Sequence, residues 1–307
     1  MQTRRIGSLT VSVVGLGCNN FGMTIDERTS ADVVQAALDA GITFFDTADM
    51  YGGTDSERFL GRALGSRRHE AVIATKFGLR ANDDFPGGAK PEYVTRACEA
   101  SLKRLNVERI DLYQLHKPDP SVSIGDTLAA MNDLVTAGKV REIGCSNFSV
   151  DQLHEAHAAV KGGAAKFVSV QNEYSLLHRV PEQGILPECA RLGLAFLPYF
   201  PLASGLLTGK YAKGVAAPKG TRMQMSWAAS GMTDKRMNAV EKLRAIAEQN
   251  GHTLLELAFS WLLRNESVAS VIAGATKPEQ IRANAAAANW TIPTDTLAEI
   301  DRAAPRT

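Results

Sequence analysis

Four side chains able to handle a proton, Asp46, Tyr51, Lys76 and His116, stand at or just past the ends of strand-like runs. Phe44-Phe45 leads to Asp46, Val72-Ile73-Ala74-Thr75 to Lys76, and Ile110-Asp111-Leu112-Tyr113-Gln114-Leu115 to His116. A β-branched or aromatic run that stops at a polar residue is how a barrel strand delivers a side chain to a catalytic rim. Together the four offer a phenol to donate a proton, an ammonium to acidify it, a carboxylate to hold the ammonium and an imidazole to orient a carbonyl. Tyr51 lies a short turn beyond Asp46, and Gly52-Gly53 gives the backbone freedom to carry the phenol back over the rim. A phenol has a reference pKa of ~10, and an ammonium beside it is expected to lower that value. Taken singly, the four also read as ordinary rim residues: a Tyr packed on a loop, an Asp–Lys ion pair, a hydrogen-bonded His. Their occurrence at successive strand ends favours the chemical reading.

Such a set needs a scaffold. The pattern predicts an α/β fold, a (β/α)8 TIM barrel with an N-terminal β-hairpin and extra helices and loops near the C-terminus, with residues 1–307 as one domain. A turn at Gly7-Ser8 marks the hairpin, and strand ends follow near Gly17, Thr47, Lys76, His116, Ser146, Glu173, Tyr199 and Ala273. Val34, Ala37 and Leu38 share one helical face, as do Val94, Ala97, Cys98, Leu102 and Leu105. Capping boxes are expected at Thr54 with Glu57, Ser123 with Asp126, Ser149 with Gln152 and Thr276 with Glu279. Strict βα alternation implies a parallel sheet covered by helices, and eight units close into a barrel. The longest interval, Tyr199 to Ala273, carries an aperiodic stretch, Ala212–Met232, then helices over Asp234–Gln249 and Thr253–Leu263. That stretch holds Met223, Met225, Trp227 and Met232 and is expected to close over ligands as a lid; packing on a neighbouring helix or a partner subunit is the alternative. Thr294–Ala303 reads as a last helix.

Lys and Arg total 34 against 33 Asp and Glu, so no charge footprint points to nucleic acid or an anionic membrane. No apolar run reaches the ~18 residues of a membrane span, and no signal peptide is visible at Met1–Arg5. Cys18, Cys98, Cys145 and Cys189 are scattered, which argues for a reducing cytoplasm and against a zinc ribbon or disulfide scaffold. Gly15-Leu16-Gly17-Cys18-Asn19-Asn20 lacks the third Gly of a Rossmann fingerprint. His154 and His157 lack zincin spacing and read as a solvated face, and no metal site is expected.

By residue type, Ser146, Asn147 and Gln171 supply donors and acceptors suited to a carboxamide, although helix capping accounts for Ser146 and Asn147 and core packing for Tyr199 equally well. Thr276 and Lys277 put a hydroxyl and a cation at a helix N-terminus, an anion site.

The runs Asp46-Thr47-Ala48-Asp49-Met50-Tyr51-Gly52, Lys76-Phe77-Gly78, Asp111-Leu112-Tyr113-Gln114-Leu115-His116, Gly138-Lys139-Val140-Arg141-Glu142-Ile143-Gly144-Cys145-Ser146-Asn147-Phe148 and Gln171-Asn172-Glu173-Tyr174-Ser175 resemble aldo-keto reductase signatures. Nearly the whole chain shares the likeness, which is nearest to the branch holding bacterial and plant reductases and potassium channel β subunits. The resemblance implies NADPH/NADP+ bound in extended form and an Asp46, Tyr51, Lys76, His116 tetrad. It implies cofactor contacts from Ser146, Asn147, Gln171, Tyr199 (stacked on the nicotinamide), Pro201, Leu202, Gly205, Leu207 and Lys210 (crossing the pyrophosphate), and Gly274, Thr276, Lys277, Gln280 and Asn284 (at the 2′-phosphate and adenine). Asn19, Phe21, Phe77 and Trp227 are the candidates for touching substrate. Phe200 and Ala273 depart from the Ser and Pro common in the family. The implied activity is reduction of a small aldehyde or ketone, with a homo-oligomer left open. The alternative is a cofactor-sensing regulatory protein resembling a channel β subunit; a metal-dependent barrel hydrolase ranks last, since only Asp46 and His116 could serve as ligands at the strand ends.

Overall fold

In a computed structural model, which describes residues 1–79, 87–215 and 231–306, eight parallel strands form one sheet in the order β10-β3-β4-β5-β6-β7-β8-β9. They are β3 (Val14–Gly17), β4 (Phe44–Asp46), β5 (Val72–Phe77), β6 (Ile110–Leu115), β7 (Val140–Ser146), β8 (Phe167–Glu173), β9 (Ala195–Tyr199) and β10 (Val271–Gly274). The Phe196 N–H donates to Ser267 O at 2.6 Å, and the Ala269 N–H to Phe196 O at 3.0 Å, which closes the barrel just before β10. All six residues of β6 are buried, as expected of a strand with the barrel interior on one face and helices on the other. An antiparallel hairpin of β1 (Thr3–Ile6) and β2 (Leu9–Ser12) covers the N-terminal end. Its Ile6, Leu9 and Val11 join Phe44, Ala74, Leu112, Leu197 and Ile272 in an apolar plug. The polar residues beyond that plug therefore sit at the C-terminal mouth.

Helix Glu27–Asp39 buries Val33, Val34, Ala37 and Leu38 and is capped by Asp26, which accepts from the Thr29 N–H. Helix Pro91–Leu105 starts with Pro at N1 and ends at Asn106 in the left-handed region. Ser149 and Gln152 form the expected capping box. The other three proposed boxes do not form. Thr54 has φ 95° and makes no side-chain cap bond, because Glu57 turns inward to Thr75 and Arg104. Ser123 caps Gly125 without Asp126, and the last barrel helix, Pro278–Ala286, has Lys277 as its N-cap while Thr276 bonds Gln280. A complete box that the sequence reading missed joins Thr253 to Glu256. Helices Asp234–Gln249, Leu254–Leu263 and Thr294–Ala303 form as expected. Most of the proposed lid, Trp227 included, lies outside the described residues.

Helix Asp55–Leu64 crosses helix Pro91–Leu105 at Gly61, where a Cβ would stand 2.7 Å from the Leu105 carbonyl carbon. In an exposed helix, Gly→Ala would stabilise by ~1 kcal/mol. Here the obstacle is backbone, which cannot swing aside, and overpacking costs ~1–3 kcal/mol. Gly61→Ala is expected to lower the denaturation midpoint; an unchanged or higher midpoint would mean the helices separate freely.

Candidate active site

Asp46 ends β4, and Lys76 lies one residue before the end of the neighbouring β5. Both are buried, and Lys76 Nζ donates to Asp46 Oδ2 at 2.6 Å and to the Thr47 carbonyl at 2.8 Å. Asp46 Oδ1 accepts from Gln171 Nε2 at 3.0 Å and from Gln114 Nε2 at 3.3 Å. A buried ion pair is tolerable only when its remaining lone pairs are satisfied, and two carboxamides do that here. Gln114 was quoted within its strand but not expected at the site. Its signal was the two-residue spacing from His116, just past the end of the strand, which puts both on the inner face.

Tyr51 is carried over this pair by a tight turn. The Thr47 N–H donates to Ala74 O at 2.9 Å, the Tyr51 N–H to Ala48 O at 3.2 Å and the Gly53 N–H to Met50 O at 3.2 Å. Gly52 has φ 58°, and a Cβ on it would stand 3.0 Å from Gly22 Cα, so the turn demands glycine. Lys76 Nζ lies 5.1 Å from the centre of the Tyr51 ring, and His116 meets that ring edge-on at 5.9 Å. The structure thus assembles all four residues.

Their electrostatics differ from expectation in one respect. Burial raises the Tyr51 pKa; Lys76 opposes this through its charge and a hydrogen bond without overcoming it. Tyr51 is therefore a protonated phenol whose anion, once formed, Lys76 stabilises. Burial also works against the Lys76 ammonium, but Asp46 and Tyr51 outweigh it and raise its pKa. Burial, followed by the charge of Lys76, lowers the His116 pKa to about 3, so the imidazole is neutral at any ordinary pH. Its Nδ1 is buried and has no hydrogen-bond partner.

The residues proposed for a dinucleotide line the same mouth. Ser146 pairs with Gln171 in register, and its hydroxyl donates to the Gln171 carbonyl at 2.7 Å. Asn147, at φ 62°, donates from Nδ2 to the His116 carbonyl at 3.0 Å and accepts at Oδ1 from the Tyr199 hydroxyl at 2.9 Å. These side chains carry the donors and acceptors that would hold a carboxamide, beside the Tyr199 ring. Past β9 the chain bends sharply: Phe200, Ala203, Ser204 and Gly205 all have positive φ. Pro201 is buried and Leu202 half-buried on this bend. Leu207 is wholly buried and its N–H is given to Leu202 O at 3.2 Å, so it shapes the bend from beneath. Lys210 is exposed, with its chain packed over Gly205. Gly274 is exposed at the end of β10 and Lys277 projects at the N-terminus of helix Pro278–Ala286. Gln280 Oε1 accepts from the Thr276 N–H at 2.7 Å, so that amide is already satisfied within the chain, and Asn284 is buried. An aromatic face, a carboxamide partner and a terminal cation fit the parts of an extended dinucleotide.

Two substrate candidates need correction. Phe21 and Phe77 have no exposed surface, and Phe77 stacks on Tyr113 at 4.6 Å, facing the helices because Lys76 beside it faces the barrel. Asn19 lies against Gly274, beside the strand end proposed for the phosphate. Trp227 lies outside the described residues. Among the described residues no cluster could hold a metal ion, and no helix is long and apolar enough to cross a membrane.

Residues 13–305 match the model of the Aldo/keto reductase family. The chain is 36% identical over 305 residues to a probable aldo-keto reductase of Glycine max, covering 96% of this chain and 86% of that protein. It is 35% identical to a probable voltage-gated potassium channel subunit beta of Arabidopsis thaliana, covering 92% and 90%. An aldo-keto reductase from Bacillus halodurans, solved in its holo form, superposes with a TM-score of 0.83 at 29% identity, covering 100% and 97%.

Proposed function

The chain belongs to the aldo/keto reductase family, and from that premise we propose that it reduces an aldehyde or ketone, using hydride from NADPH and a proton from Tyr51. The observation that carries this reading is the buried Lys76–Asp46 pair directly beneath a partly exposed, protonated Tyr51, with neutral His116 edge-on to it. The reduced nicotinamide, when bound, supplies the hydride. Tyr51 gives its proton as the carbonyl oxygen gains charge, and Lys76 stabilises the phenolate that remains. Asp46 keeps Lys76 charged and in place, and Gln114 and Gln171 hold Asp46. His116 stays neutral, so it orients the carbonyl and does not compete as an acid. The second reading, a cofactor sensor like the channel subunit relative, would not require this complete proton-donating set. We read residues 1–307 as one domain working in the cytoplasm, and the four cysteines, all buried free thiols, are compatible with a reducing compartment. Turnover of a panel of aldehydes and ketones, followed by NADPH absorbance, tests the reading; no oxidation of NADPH with any of them would remove it.

Lys277 motivates a preference for NADPH over NADH. A charge-assisted contact to the 2′-phosphate is worth ~1.5–3 kcal/mol, about one to two decades in affinity. Lys277→Ala is expected to weaken NADPH by about that factor and leave NADH unchanged. Equal Kd values for the two cofactors in the unmutated protein would contradict the assignment.

A further inference from the structure

Asp49 is a carboxylate that this reaction does not use. It lies two residues before Tyr51, is 1% exposed, and its Oδ1 has no hydrogen-bond partner. Its N–H donates to the Lys76 carbonyl at 3.0 Å, which pins the Tyr51 turn to β5. Beside it, on helix Asp55–Leu64, Glu57 is also buried, with Oε1 accepting from Thr75 at 2.6 Å and Oε2 from Arg104 Nε at 2.5 Å. Arg104, on helix Pro91–Leu105, also donates to the Ser101 hydroxyl at 3.0 Å. Among the described residues, the remaining titratable groups facing Asp49 are Tyr93 of that helix, Tyr113 of β6 and Lys76 of β5, the last already held by Asp46. Two carboxylates thus share a dry site in which both cations are committed elsewhere than to Asp49, Arg104 to Glu57 and Lys76 to Asp46. Asp49 is best accommodated as a neutral acid. In keeping with this, burial first and the charge of Glu57 second push the Asp49 pKa up to about 7, with Arg104, the Met50 N–H and Lys76 only partly opposing.

We propose that Asp49 is a positioning residue for Tyr51: its protonated carboxyl seats the 47–53 turn against β5, and ionisation beside Glu57 loosens that turn and moves the phenol off Lys76. The turn behaves as one unit, because its bonds run from Thr47 to Gly53 and Gly22 packs against Gly52 on its far side. A folded-state pKa raised above the ~3.9 of an unfolded Asp contributes stability that is full below that value. The contribution is lost as pH rises through about 7. The effect on turnover rests on the reductase reading, whereas the effect on the turn does not.

Hydrogen exchange of the amides in residues 47–53 of the full chain, corrected for intrinsic pH dependence, separates the two. Protection is expected to fall about tenfold between pH ~5.5 and ~8.5 in the unmutated protein, and to change less than about twofold in Asp49→Asn, which cannot ionise. Glu57→Gln removes the neighbouring charge and should carry the transition to lower pH. In turnover, kcat should show a descending limb near the Asp49 transition that is absent in Asp49→Asn, with KM for NADPH unaffected. Protection indifferent to pH, or equally pH-dependent in Asp49→Asn, or a transition unmoved by Glu57→Gln, would overturn the inference. The expected exchange behaviour with no carbonyl reduced would leave it standing and sink the reductase reading.

Discussion

Tyr51→Phe is expected to lower carbonyl turnover by about 10²–10⁴-fold, the contribution of a positioned general acid, while NADPH affinity stays near that of the unmutated protein. Only the hydroxyl is lost. The ring keeps its contacts with Lys76 and His116, and Asn147, Tyr199 and Lys277 are untouched. Fluorescence titration with NADPH beside steady-state kinetics makes the separation, and a Phe variant with undiminished kcat would take Tyr51 out of the mechanism. The pH dependence has a fixed sign. Because burial raises the Tyr51 pKa, the phenol keeps its proton through neutral and mildly alkaline pH, so reduction loses this acid only far on the alkaline side. Alcohol oxidation needs the phenolate and should rise with pH over the range in which reduction falls. A limb near neutrality therefore belongs to another group, which is what separates Asp49 from Tyr51 in a pH profile.

The barrel was legible because its signals are local. Each strand is a run of apolar residues closed by a polar one, and the ends expected near Gly17, Lys76, Ser146, Glu173 and Tyr199 fall within a residue of those in the structure. The gathering of Asp46, Tyr51, Lys76 and His116 at one mouth was legible for the same reason. What failed depended on contacts distant in sequence. Thr54-x-x-Glu57 has the form of a capping box, but Thr75 and Arg104 recruit Glu57 into the interior. Phe77 is the exception: strand alternation beside Lys76 is a local signal, and it already sends Phe77 outward toward the helices. The direction of the Tyr51 pKa was a contest between burial and a cation, and spacing reveals only the cation. The raised pKa of Asp49 is hidden likewise, since it depends on burial and on the inward turn of Glu57 that takes up Arg104.

Removing the cation itself should have two separable effects. Lys76→Met leaves Asp46 buried without its counter-ion, held only by the carboxamides of Gln114 and Gln171. Stripping one partner from a buried pair costs ~3–5 kcal/mol, so the denaturation midpoint should fall sharply. Turnover should fall by about 10²–10³-fold in whatever protein remains folded, because the phenolate loses its electrostatic support. Instability alone could mimic a loss of activity, and a second substitution resolves this. Lys76→Met combined with Asp46→Asn removes both charges yet keeps an acceptor for the two glutamine amides, and replacing both members of a buried pair is often neutral or stabilising. The double variant is therefore expected to recover most of the lost stability and none of the lost turnover. If stability and turnover return together, the Lys76–Asp46 pair is a structural element and the phenol is acidified by something else; if neither returns, the coupling between the two residues is weaker than a 2.6 Å contact implies.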